Sequence, residues 1–158
     1  MVYAWWGGFH SVQIEQRERG PYIYAYLEHH GKLSKLPDTQ NKVWRALVEQ
    51  NITPGNSINV VFDDPRRVAG SQLRAHTGYL IQASDNLQAP LLRGEIAKRP
   101  VLVAQVQAAA LLAPGKTYQA LYDYLQSQQR DIVMPTVELY ERARDVTRAG
   151  VFTVEMKQ

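Results

Sequence analysis

The chain has 158 residues, the usual size of one domain, and is long enough to bury a sizeable core. Its 45% hydrophobic and 21% charged residues are typical of a globular protein and exclude disordered, collagen-like and coiled-coil chains. The net charge of +3 is too small for a nucleic-acid-binding surface, and the lack of cysteine excludes disulfides, thiolate zinc sites and iron–sulfur clusters. We expect one domain, or two fused half-size modules, with no metal and no cofactor.

Residues 1–10 form an aromatic segment that is unusual at the start of a chain. Tyr3, Trp5 and Trp6 stand beside two glycines, where polar and frayed residues are common. Either this segment docks on the domain, or a membrane anchor precedes it, because Trp and Tyr gather at the membrane–water boundary. No run in the chain reaches the roughly 18 apolar residues of a membrane span. We therefore predict a cytoplasmic domain that is either free or anchored through a segment absent from this chain.

The periodicity of the first half predicts four strands around one helix. Gly20-Pro21 separates the first two strands, and the helix begins at Asp38, a predicted N-cap, and ends before Pro54. In the strands, apolar side chains alternate with other side chains, the period-two pattern of a half-buried sheet. The predicted strands cover residues 11–18, 22–28, 58–63 and 73–81.

The second half repeats this order at a nearly constant distance. An offset of 78 residues takes Ile23 to Val101 and Val43 to Leu121, which indicates a duplicated strand–helix–strand–strand unit. The sequence therefore predicts an α+β fold with antiparallel sheets, two helices on one face and a central cleft on the other. The predicted pseudo-repeats cover residues of about 11–82 and 98–156, and the second contains strands at 101–106, 136–141 and 151–154.

Glu138 is the main candidate for a functional side chain. In the strand 136–141 we expect Val137 and Leu139 to pack under a helix and Glu138 to face the cleft with aromatic residues. The 78-residue offset pairs Glu138 with Val60, so only one repeat would supply an acid. A carboxylate among aromatic rings suits either a bound aromatic cation or general acid catalysis, although an exposed strand glutamate would give the same pattern.

The other candidates are aromatic side chains that line a site or only pack. The four histidines have no metal-ligand spacing, so surface or loop roles are predicted for His10, His29, His30 and His76. Asp63 and Asp64 precede Pro65 and are predicted to form a turn rather than a metal site. The candidate ligand-binding residues beside Glu138 are Tyr22, Tyr24, Tyr26, Trp44, Phe62, Tyr122 and Tyr140.

Several short motifs resemble the GyrI-like domain family over residues 11–154. They are Gly20-Pro21-Tyr22, the strand end Phe62-Asp63-Asp64-Pro65, and the segment 135–140 with Glu138. The resemblance implies a small-molecule cleft with a buried glutamate at Glu138, as in BmrR-type regulators. The opening residues 3–9 resemble a branch with an N-terminal membrane anchor. In this chain no DNA-binding helix-turn-helix segment precedes the residues that carry the resemblance, so we do not expect regulator function of this polypeptide.

Three functions are compatible with these residues. The first is a non-enzymatic domain that binds lipophilic or cationic small molecules, with no direct nucleic-acid partner. The second follows from a hydrolytic branch of the same family, in which Glu138 would act on strained, cyclopropane-bearing genotoxins. The third is an interaction module held at a membrane. A Glu138 side chain near aromatic rings would favour the first two functions over the third.

Overall fold

The protein has an α+β fold with antiparallel strands and two helices. A computed structural model describes residues 2–5, 12–107, 113–142 and 150–158, so residues 6–10 of the aromatic opening segment lie outside the described ranges. The contacts divide the chain into two compact units. The terminal unit consists of Met1–Arg19 and Arg99–Gln158, and the middle unit is Gly20–Lys98.

The regular elements follow the order predicted from periodicity. Two short 3₁₀ turns, at Leu33–Lys35 and Gly70–Gln72, accompany them. In chain order the strands and helices are β1 (Val2–Trp5), β2 (Val12–Arg19), β3 (Tyr22–His30), α1 (Leu36–Glu49), β4 (Ser57–Val61), β5 (Arg74–Leu80), β6 (Leu92–Ile96), β7 (Arg99–Gln107), α2 (Ala113–Ser127), β8 (Thr136–Glu141) and β9 (Val151–Lys157). Of the helices in these described ranges, none combines the length and apolar character needed to cross a membrane.

In the terminal unit, the strands lie in the order β1-β2-β7-β9-β8, and each neighbouring pair is antiparallel. The register places Ala104 and Glu138 opposite Val154, so these three residues share one face of the sheet. Helix α2 packs on this face through Leu121 and Leu125. The fully buried part of the core includes Ile14, Leu102, Ala104, Leu121, Val154 and Met156.

In the middle unit, the strands lie in the order β4-β5-β3-β6, again all antiparallel. Ala25 of β3 faces Tyr79 of β5, and α1 covers both with Val43 and Leu47. Burial of apolar side chains stabilises a fold by about 25 cal/mol for each Å² of apolar surface removed from water. This packing of helix on sheet therefore holds the unit together. Residues of β3 with even numbers point to the other face.

Two strands and one helix start differ from the sequence analysis. β1 and β6 were not predicted, and the sequence of β6 contains a glycine and alternating charges that are typical of an edge strand. Helix α1 begins at Leu36, so Asp38 lies in the first turn rather than at the N-cap. Pro37 favours this start because its missing N–H is not needed in the first turn. The repeat boundaries stay a prediction, and β2, assigned to the first repeat, pairs with β7.

A methyl group at Gly78 tests the close packing of β5 against β3. A Cβ at this position would lie 1.8 Å from the backbone oxygen of Ala25, a contact that only movement of a strand can relieve. We expect Gly78→Ala to lower the free energy of unfolding by about 3 kcal/mol or more. Chemical denaturation measures the change.

Gly115 of α2 provides the matched control. A Cβ there would meet nothing within 4 Å, so Gly115→Ala should raise the free energy of unfolding by roughly 0.5–1 kcal/mol. Equal effects of the two substitutions would contradict the assigned packing of β5.

Candidate functional site

Glu138 lies on the face of β8 that α2 covers. Its hydroxyl partner, Tyr118, belongs to α2, and Glu138 is only 9% exposed. The expected orientation of β8 was therefore wrong, since Val137 and Leu139 point to the face that α2 does not cover. Both of these residues are also buried. Because β8 is buried on both faces, alternation along its sequence could not decide which face the helix covers.

A chain of hydroxyl groups holds the Glu138 carboxylate. The Tyr118 hydroxyl donates to Glu138 Oε2 at 2.5 Å and lies 2.9 Å from Thr136 Oγ1. Since a phenol has one proton, the Thr136 hydroxyl donates to Tyr118 when Tyr118 donates to Glu138. Burial, and then the nearby Glu138 charge, raise the pKa of Tyr118 well above its usual value of 10. Tyr118 is therefore a neutral donor at physiological pH.

Two further tyrosines of the terminal unit lie around this group. The Tyr122 ring is 6.0 Å from the Tyr118 ring, one helical turn along α2. Tyr140 follows Glu138 on the same face of β8, and both Tyr122 and Tyr140 pack half-buried against the core. The terminal unit thus brings together three predicted site residues, Glu138, Tyr122 and Tyr140, with Tyr118 as an additional partner.

The middle unit has an uncharged polar group beneath its own helix. The Thr77 hydroxyl donates to Asn59 Oδ1 at 2.6 Å, and the Gln40 amide of α1 lies 3.3–3.4 Å from both. Gln40 is exactly one 78-residue offset from Tyr118, whereas Asn59 is offset by 79 from Glu138. A shift of one residue turns a strand side chain to the other face, so Asn59, and not Val60, faces α1 as Glu138 faces α2.

Three other predicted residues meet around His76 in the middle unit. The Tyr26 ring stacks on His76 with centroids 3.8 Å apart, and Phe62 approaches it edge-on at 4.8 Å. The Tyr24 hydroxyl lies 3.0 Å from His76 Nδ1. We call Tyr24, Tyr26, Phe62 and His76 the His76 cluster. It lies on the face of the sheet that α1 does not cover, because His76 and Ala75 point to opposite faces.

Burial sets the protonation of the His76 cluster. It raises the pKa of Tyr24 to about 12, with a smaller effect from Tyr26. It also lowers the pKa of His76 below 6.5, and the Glu28 carboxylate acts in the opposite direction. At pH 7 the neutral Tyr24 hydroxyl therefore donates to Nδ1, which leaves the imidazole proton on Nε2.

Gly94 of β6 makes room for the Tyr24 ring. A Cβ at this glycine would lie 2.2 Å from Tyr24 Cζ, so any other residue would displace the ring. The strand that the sequence analysis missed therefore positions one of the predicted aromatic residues.

The two remaining candidates belong to α1 and to the start of β3. Trp44 is 39% exposed on α1 and contacts Tyr79 edge-on at 5.3 Å. Tyr22 is half-buried at the start of β3, opposite Ile96. The predicted assignment of all eight side chains to one ligand site stays a prediction, as does the cleft between the repeats.

One histidine, His29, was wrongly predicted to have a surface or loop role. His29 is buried in β3, where Nδ1 lies 2.9 Å from the Thr39 hydroxyl and Nε2 lies 3.0 Å from the Lys32 carbonyl oxygen. His76 is half-buried in β5. Single histidines in alternating strands give no sequence signal for their face, because the apolar residues on both sides of the sheet satisfy the same pattern.

Sequence reasoning also missed a buried ion cluster in the terminal unit. Glu155 of β9 is fully buried, with Arg19 Nε 3.1 Å from Oε2 and Arg99 Nη1 2.8 Å from Oε1. Its partners are distant in sequence and meet only because β2 pairs with β7. Two arginines on one buried carboxylate offset the cost of desolvating its charge.

No metal centre is formed by the described residues. Within those ranges, no three His, Asp or Glu side chains converge as possible ligands. Asp63 forms an ion pair with Arg74 at 3.0 Å, and Asp64 accepts a hydrogen bond from the backbone N–H of Arg66 at 2.9 Å. The second contact is that of the predicted turn.

Removing the Tyr118 hydroxyl should destabilise the terminal unit through Glu138. Tyr118→Phe leaves the buried carboxylate without this donor, so we expect the free energy of unfolding to fall by about 1–3 kcal/mol. The loss should shrink in a Glu138→Gln background, where no charge remains. Equal losses in both backgrounds, measured by chemical denaturation as a double-mutant cycle, would show that the two groups are not coupled.

His76 should make stability depend on pH. Because its pKa is lower in the folded state, the unfolded chain binds more protons as the pH falls below about 6.5, and stability falls with it. The slope should be a fraction of the roughly 1.4 kcal/mol per pH unit that one group can contribute. His76→Phe should flatten the curve of unfolding free energy between pH 7 and 5, whereas His30→Phe, at an exposed position, should not.

Comparison with solved structures identifies the fold. EcmrR in a complex with DNA superimposes with a TM-score of 0.71 at 7% identity, over 92% of this chain and 57% of that chain. SAV2435 bound to tetraphenylphosphonium superimposes with a TM-score of 0.61 at 13% identity, over 91% of this chain and 92% of that chain. The integron cassette protein VCH_CASS2 of Vibrio cholerae superimposes with a TM-score of 0.54 at 6% identity, over 91% of this chain and 94% of that chain.

These likenesses concern the three-dimensional structure. No protein-family model matches the sequence, and no curated protein matches it. The chain spans little more than half the length of EcmrR, but nearly all of SAV2435. The resemblance to GyrI-like domains is therefore confirmed at the level of the fold.

Proposed function

We propose that this protein binds lipophilic, cationic aromatic small molecules, with Glu138 supplying the negative charge. The observation that carries the proposal is a carboxylate, 9% exposed, that accepts a hydrogen bond from the neutral phenol of Tyr118. Burial makes a charged carboxylate costly. A cation that enters this region gains more from the charge than it would from an exposed glutamate, where water screens the attraction.

The surrounding rings favour an aromatic or alkylated cation over a small hydrated ion. Tyr118, Tyr122 and Tyr140 belong to the same unit as Glu138, and their rings can contact both the apolar body and the charge of such a ligand. A small inorganic cation would instead require several converging oxygen ligands. The ligand class therefore follows from one acid among several rings.

A ligand that pairs with Glu138 Oε2 competes with the Tyr118 hydroxyl. The Tyr118 hydroxyl donates its hydrogen bond to Glu138 Oε2, and the phenol ring is part of the packing between α2 and β8. Binding thus exchanges one hydrogen bond for a charge pair. The free energy that Tyr118 contributes to folding becomes part of the cost of binding.

The structure of SAV2435 with tetraphenylphosphonium supports this ligand class, because that protein has the same fold and its ligand is a lipophilic aromatic cation. EcmrR was solved in a complex with DNA, but its chain is considerably longer than this one. The comparison therefore suggests no nucleic-acid partner for this domain. The hydrolase and the membrane-held interaction module stay predictions of the sequence alone.

Calorimetric titration with tetraphenylphosphonium tests the proposal. We expect Glu138→Gln to weaken binding at pH 8 by at least about tenfold, equivalent to about 1.4 kcal/mol, because the charge is lost while the shape is kept. Glu141→Gln is the matched control, since Glu141 is exposed on the same strand, and it should change affinity less than twofold. Equal affinities for the wild type and Glu138→Gln would remove Glu138 from the site.

A further inference from the structure

His76 is the one member of the His76 cluster that was not among the predicted ligand-binding residues. It lies in β5 directly opposite Glu28 of β3 and Val60 of β4. The stacked Tyr26 ring and the edge of Phe62 border its imidazole. Three of the four rings, those of Tyr26, Phe62 and His76, are half-buried and keep exposed surface, whereas Tyr24 is buried.

Tyr24 holds the imidazole in one orientation. Its hydroxyl contacts Nδ1, and its own ring is fixed against the backbone of Gly94. His76 Nε2 has no hydrogen-bond partner among the residues in the described ranges. The cluster therefore presents a preformed aromatic surface with one N–H donor, and forming it requires no reorganisation when a ligand arrives.

We propose that Tyr26, Phe62 and His76 form a binding surface for an aromatic group, and that His76 selects ligands by their charge. The inference rests on the proposed function, because it takes an aromatic cation as the ligand. A neutral imidazole stacks with a cationic ring system, whereas an imidazolium repels it and attracts an aromatic anion.

The other charged groups on this face do not reproduce that behaviour. From β3, Glu28 and the exposed His30 share the face of His76, and from β5 Arg74 does so, paired with Asp63. The aligned residues of β4 and β6 that share the face are uncharged, among them Val60, Leu92 and Gly94. His30 is the group that could imitate His76 in a titration, so a His30 variant is the necessary control.

The test measures the affinity of two aromatic probes of opposite charge between pH 8 and pH 5. Tetraphenylphosphonium is a permanent cation and anilinonaphthalene sulfonate is an anion, so only the protein titrates. We expect cation affinity to fall at least about threefold more in the wild type than in His76→Phe over this range. Anion affinity should rise in the wild type and stay level in His76→Phe.

The matched variants distinguish an effect of His76 on ligand affinity from an effect of Glu138 and from a loss of folding. His30→Phe should retain the wild-type pH profiles, and His76→Gln, which keeps a hydrogen-bonding side chain for Tyr24, should behave like His76→Phe. Circular dichroism at pH 8 and pH 5 verifies that each variant is folded. Glu138 is present in the wild type and in every His76 and His30 variant, so a pH effect that arises at Glu138 is common to all of them and is not counted as an effect of His76.

The outcomes distinguish this inference from the proposed function. If tetraphenylphosphonium binds and depends on Glu138, but the pH profiles of wild type and His76→Phe coincide for both probes, the role of His76 is overturned and the proposed function stands. If tetraphenylphosphonium does not bind the wild type at pH 8, both are overturned. Opposite pH trends for the two probes that disappear in both His76 variants support the inference.

Discussion

The hydrogen bond between Tyr118 and Glu138 is the interaction on which the terminal unit and its proposed function both depend. A carboxylate between a helix and a sheet is costly unless donors satisfy it, and the Tyr118 phenol is such a donor. The same donor keeps the carboxylate covered. In the proposed function, stability and ligand affinity are therefore opposed at this position, because a ligand that pairs with Oε2 competes with the contact that the fold uses.

The polar groups beneath the two helices differ in charge. In the middle unit, Gln40, Asn59 and Thr77 form a neutral group beneath α1, where the terminal unit has Tyr118 and Glu138 beneath α2. Neutral amides and hydroxyls satisfy one another without a counter-charge, so this group is explained by folding alone. The acid beneath α2 carries a cost that folding does not require, which is why the proposed ligand site centres on Glu138.

Each unit contains a group of aromatic residues. Tyr118, Tyr122 and Tyr140 accompany the acid, and the His76 cluster lies on the face of its sheet that α1 leaves uncovered. The group in the terminal unit combines aromatic rings with the Glu138 carboxylate. The His76 cluster combines aromatic rings with a titratable imidazole. A ligand that is both aromatic and cationic is suited to either environment, whereas a simple hydrocarbon would gain nothing from Glu138 or from the charge of His76.

Periodicity and turn residues in the sequence determined the number and order of most elements, as Gly20-Pro21 and the alternation in β3 illustrate, and they identified Glu138 and most of the tyrosines. The tertiary structure alone decided which face of β8 meets a helix, because both faces are buried and the alternation along the strand does not show which of them the helix covers. It also decided that Asn59, and not Val60, faces its helix as Glu138 does, because a shift of one residue turns a strand side chain to the other face. Likewise, His76 and the partners of Glu155 became visible only through strand pairing, which joins residues that no local pattern connects.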